Sequence, residues 1–61
     1  MKVSEIVRKA KKQGCVIRKH GGDHDLWNNP KTGQSALIPR HWSKELPDGT
    51  ANNILRKLGL K

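Results

Sequence analysis

Apolar side chains recur along this chain with two different periods. In the first segment, Met1 to Gln13, Val3, Ile6, Val7 and Ala10 stand at i, i+3, i+4 and i+7, which is the spacing of one helix face. Arg8, Lys9, Lys11 and Lys12 fall mostly on the other side. Glu5 near the start and the lysines near the end suit the helix dipole. Gly14 follows, where a left-handed cap is easily made. Ser4 is a candidate cap, although an earlier start makes better use of Val3 as core. From Cys15 the period shortens. "CVIRK" (Cys15 to Lys19) opens with three residues suited to a strand, and Gly21-Gly22 ends it. "HDLWN" (His24 to Asn28) reads as a second strand after that tight turn. Leu26 and Trp27 are adjacent and must face opposite sides of the sheet. With Leu26 taken as the residue that points to the helices, Trp27 faces a partner or solvent. His24 then shares the side of Leu26 and has to sit at the open rim of the sheet or at a local distortion. "NPKTG" (Asn29 to Gly33) is a second turn. "SALIP" (Ser35 to Pro39) is a third strand, stopped by its proline.

Beyond the loop "RHWSKELPDG", the helical spacing returns at Ala51, Ile54, Leu55 and Leu58. Asn52, Asn53, Arg56 and Lys57 lie mostly opposite, Thr50 or Asp48 is placed to cap the start, and Gly59 marks the end. The predicted architecture is a single α+β domain over residues 1–61, in the order α-β-β-β-α. Consecutive strands with short turns form an antiparallel three-stranded meander, and both helices cover one face of it. The other face is left to water or to a partner.

Composition narrows what such a domain can do. A chain of 61 residues, 33% hydrophobic and with Trp27 and Trp42 as its only aromatics, buries a small core. A deep pocket is hard to build from so little, so an active site has to be a shallow surface. The net charge is +8, with 13 Lys and Arg against 5 Asp and Glu. An excess of this size points to nucleic acid or to an acidic protein partner. The single cysteine, Cys15, excludes an intramolecular disulfide and fits a reducing compartment. Beside Val16 and Ile17 it reads as a small buried hydrophobe. No apolar run has the make-up of a signal peptide or the length of a membrane span, so a cytoplasmic protein without a membrane partner is expected. His20 and His24 are four residues apart and His41 is a third histidine, but Gly-Gly separates the first two and no second cysteine exists. No metal or other cofactor is expected. Two helices separated by the whole sheet do not make a helix-turn-helix, which disfavours a DNA-binding reading.

Three stretches, taken together and in register, resemble a known family. They are Gly22-Asp23-His24 at the head of the second strand, "IPRH" (Ile38 to His41) and "ELPDGTANNILRKLGL" (Glu45 to Leu60). The combination is similar to the HicA toxins, small bacterial mRNA interferases of type II toxin–antitoxin systems, and spans nearly the whole chain. The resemblance implies a double-stranded-RNA-binding-domain-like fold and endoribonuclease activity that depends on one histidine; with no metal-ligand spacing in the chain, metal-independent cleavage is expected. It implies neutralisation by a HicB-like antitoxin, whose complex would set the oligomeric state. It makes His24 the catalytic residue and brings Arg40 and His41 near the mRNA substrate.

The chemistry suits those residue types. RNA carries its own nucleophile, the ribose 2′-OH, and a histidine that titrates near neutral pH can take or give the proton. Arg40 offers phosphate a planar fork. His41 is either a second acid–base group or a residue that fixes its loop by a hydrogen bond. Arg18 and Lys19 precede the Gly-Gly turn, and one of them, Lys19 first, is expected to reach the RNA backbone; a solvated strand end is the alternative for both. Trp27 and Trp42 suit either base stacking or the core. The sequence departs from the family at one place. Family members often read Gly-Ser-His-His where this chain has Gly22-Asp23-His24-Asp25. The two aspartates are expected to hold the imidazole and favour its protonated form, or else to repel phosphate. A non-catalytic RNA-binding module of the same fold is the competing reading.

Overall fold

A computed structural model describes residues 1–61. Its elements are α1 (Val3–Lys12), β1 (Val16–His20), β2 (His24–Asn29), β3 (Gln34–Pro39) and α2 (Asp48–Lys57). The predicted order holds, with the ends moved by a residue or two. α1 starts early enough to bury Val3, as expected, but none of the candidate side chains caps either helix. The first N–H groups of α1 are instead met from far along the chain: Val3 donates to the Lys44 carbonyl at 3.0 Å and Ser4 to that of Trp42 at 2.9 Å. Such orphan donors need a partner from somewhere, and the loop before α2 supplies it. At the other ends, Gly14 and Gly59 take the expected left-handed conformation, at φ 85 and 69.

The sheet is antiparallel throughout, in the order β1-β2-β3. Trp27 pairs with Ala36 and Asp25 with Ile38, while Leu26 pairs with Leu37 and His24 with Pro39. Directly opposed residues share a face, so Trp27, Ala36 and Ile38 face the helices. There they meet Val3, Ile6, Val7 and Ala10 of α1 and Ala51, Ile54 and Leu55 of α2. This overturns the expected facing of the second strand. Trp27 is 3% exposed and belongs to the core, and Leu26 points away from the helices. The indole carries the larger apolar surface, and the small Ala36 opposite it leaves room. A one-residue choice of facing decides the side of every residue in the strand.

Between β1 and β2 the register slips. Ile17 pairs with Trp27 and Lys19 with Leu26, leaving Arg18 as the extra residue of a bulge. The bulge turns Lys19 onto the face of Leu26 and sets His20 across from Asp25. Cys15 is buried, as expected, and burial pushes its thiol up despite the nearby charge of Lys31. No helix is long and apolar enough to cross a membrane.

Candidate active site

The turn from β1 to β2 is built around a close backbone approach. The Gly21 N–H donates to the His24 carbonyl at 2.8 Å. A Cβ on Gly21 would lie 2.7 Å from that same carbonyl oxygen, whereas one on Gly22 would meet nothing. Of the two glycines, Gly21 is the one the turn requires.

Strand alternation then separates His24 from Asp25. Asp25 turns to the helix side and is nearly buried. Its Oδ1 accepts from Arg40 Nε at 2.8 Å and lies 2.9 Å from His20 Nδ1. Burial pushes this carboxyl up, but the hydrogen bonds and charges of Arg40 and His20 outweigh it, and the pKa settles below the ordinary carboxylate value. The Arg40 N–H also donates to the Asp23 carbonyl at 3.0 Å. Arg40 therefore grips the residues on either side of His24 through its backbone and its side chain. The expectation that Asp25 holds the His24 ring is overturned, because a carboxylate one residue along a strand points to the other face.

The His24 side chain is exposed on the outer face and makes no hydrogen bond within the protein. It lies at one end of an open groove of about 540 Å³ that spans the β3 edge of the sheet, from the outer face to α2. Leu26, Leu37 and Pro39 form the sheet side of the groove, and Thr50, Asn53 and Lys57 the helix side. No acidic residue lines it. The groove is open to solvent rather than an enclosed cavity.

The other predicted site residues are only partly gathered here. Lys19 shares the outer face with His24 and stands across from Leu26, one rung away. Arg18 is drawn off to the far end of β2, where its Nε donates to Asn28 Oδ1 at 3.3 Å. Arg40 is held by Asp25 through Nε alone, and its terminal nitrogens make no bond within the protein. His41 lies exposed on the following loop; its carbonyl accepts from Lys44, but its ring fixes nothing. Trp42 is 47% exposed, with Lys11 Nζ 5.2 Å from the ring centroid.

Residue reasoning missed the His20–Asp25–Arg40 cluster and the groove wall on α2. The first depends on the bulge at Arg18, which no sequence signal announces. The second was partly visible, since Thr50, Asn53 and Lys57 stand at i, i+3 and i+7 and share one helix stripe.

Comparison with known proteins gives two matches. The family model of the HicA toxin of bacterial toxin–antitoxin systems matches residues 3–60. A protein described as a probable mRNA interferase HicA, from Pseudomonas fluorescens (strain Pf0-1), is 36% identical over 61 residues. That similarity covers 100% of this chain and 98% of the relative.

Proposed function

The chain belongs to the HicA family of bacterial toxins, and on that premise we propose that it is an endoribonuclease that cuts mRNA with His24 as its acid–base group. The observation that carries this reading is the placement of His24. It is an exposed imidazole without a hydrogen bond in the protein, held at the end of a groove with no carboxylate in its lining. The backbone around it is pinned by the Gly21 and Arg40 bonds, which fixes where the side chain leaves the strand and leaves the ring free to turn toward a substrate.

In the proposed reaction, His24 takes the proton of a ribose 2′-OH. The freed oxygen attacks the adjacent phosphorus, and the bond from phosphorus to the 5′ oxygen breaks. The proton is delivered to that leaving oxygen through the imidazolium or through water. The products are a 2′,3′-cyclic phosphate and a 5′-hydroxyl end. Lys19 and the free terminal nitrogens of Arg40 supply positive charge to the phosphate oxygens. No step calls for a metal. A HicB-like antitoxin would neutralise the toxin by covering His24 or the basic surface around it.

His24→Ala tests the reading. Loss of a general acid–base group costs about 10²–10⁴-fold in rate, so the variant should no longer arrest growth. Purified wild type should leave cyclic phosphate ends, with chelator present or absent. Growth arrest by His24→Ala equal to that of wild type would remove His24 from the chemistry. RNA bound but never cut by wild type would favour the non-catalytic module.

A further inference from the structure

We propose that the groove beside His24 is a nucleobase subsite. Leu26, Leu37 and Pro39 take the face of an unpaired RNA base, and Asn53 on α2 reads its edge. This deepens the RNA-cleaving reading above and rests on it.

Leu37 is 58% exposed on the outer face, directly across from the half-buried Leu26. A lone exposed leucine is ordinary, but this one is part of a continuous surface. The next rung on the same face is His24 with Pro39, about 7 Å along the strands. A base lying on the leucine rung therefore sets its own sugar and phosphate beside the imidazole. The apolar parts of RNA are the faces of its bases, and those are open only where the strand is unpaired. The platform has no aromatic side chain, so it offers a flat aliphatic floor rather than a ring stack.

The wall matches the rest of a nucleotide. Asn53 carries both a donor and an acceptor, and neither is used within the protein, nor is the Thr50 hydroxyl. Lys57 lies one turn further along the same stripe and Lys19 stands on the opposite side of the leucines. Two cations flanking an apolar floor, with no carboxylate in the lining, fit a polyanion whose bases enter the groove. An asparagine facing a base edge is a specificity element, because a partner without the matching group leaves its amide unpaired.

The test uses Leu37→Ser and Asn53→Ala, both at exposed positions, with melting temperatures as the check on folding. Cleavage positions are mapped on a long unstructured RNA, and kinetics are taken on short unpaired oligonucleotides that differ at one base. Leu37→Ser should raise KM about tenfold, the order expected for losing the burial of one leucine side chain, without changing the salt dependence. Asn53→Ala should cut at more positions, with the preference for one base reduced about tenfold. A binding readout runs beside these. His24→Ala protein should change the fluorescence of an unpaired RNA bearing 2-aminopurine, and Leu37→Ser added to it should move that titration to about tenfold higher protein concentration. Unaltered cleavage positions and KM in both variants would overturn the subsite while leaving the ribonuclease intact. Altered antitoxin neutralisation with unaltered RNA kinetics would also overturn it, by assigning the groove to a protein partner. A wild type that neither cuts nor binds RNA would overturn both readings together.

Discussion

The side chains of His24 and Asp25 leave β2 on opposite faces of the sheet. Their separation settles what the polar cluster around the turn does. His24 faces the groove, while Asp25 ties the hairpin to the loop after β3 through His20 and Arg40. The tie has a pH signature. The folded pKa of Asp25 is depressed, so its contribution to stability is fully present above the unfolded value of about 3.9. That contribution is lost as pH falls through the lower folded value. Asp25→Asn should therefore lower the melting temperature at neutral pH and flatten its fall below pH about 4. An acid melting profile identical to that of wild type would show that the carboxylate contributes nothing. Because Arg40 binds Asp25, the same variant should also lower cleavage rate more than RNA affinity, as expected of a positioning residue.

At the scale of elements, the edge strand β1 and the β1–β2 turn place different groups beside His24. Every residue of β1 is exposed, and its bulge is what brings Lys19 to the face of His24. The turn is rigid at one position only. Gly21→Ala would drive a Cβ against the His24 carbonyl, and relieving it should cost about 1–3 kcal/mol of backbone strain. It should reduce cleavage as well, since the displaced group belongs to His24 itself. Gly22→Ala meets open space and should be neutral in both melting temperature and rate. Equal effects from the two variants would mean that the turn relaxes freely. The β2–β3 turn is organised by Asn29, whose side chain accepts from the Lys31 N–H and donates to the Leu58 carbonyl at the end of α2. One buried asparagine thus joins a hairpin to a helix terminus, and through it the groove wall to the groove floor.

For the whole molecule, the governing quantity is a net charge of +8 on 61 residues. It favours association with RNA whatever the sequence bound, and makes that association salt-dependent. Lys19→Ala and Lys57→Ala, examined in the His24→Ala background, should each weaken RNA binding. Each should also make the slope of log K against log salt shallower by about 0.7. A slope unchanged by Lys57→Ala would mean that α2 does not meet the phosphate backbone. The balance also carries a cost, because like charges repel within a domain whose total stability is about 3–9 kcal/mol for this length. The 13-residue apolar core therefore has little margin, and the loop that completes α1 by backbone bonds matters as much as any one core side chain.

The order of elements, both helix stripes, the buried cysteine and the candidate histidine were legible in the sequence. Each depends on local periodicity or on a family resemblance in register. The facing of β2 was not, because Leu26-Trp27 allows either side and the choice depends on Ala36 and Ile38 across the sheet. Nor was the role of Asp25, whose partners are brought together by a bulge at Arg18 and by the return of the chain at Arg40. Local patterning is enough to specify a basic α-β-β-β-α domain with a histidine at the head of its second strand. Tertiary structure decided which face that histidine occupies, since register and packing between distant segments select among patterns that are locally equivalent.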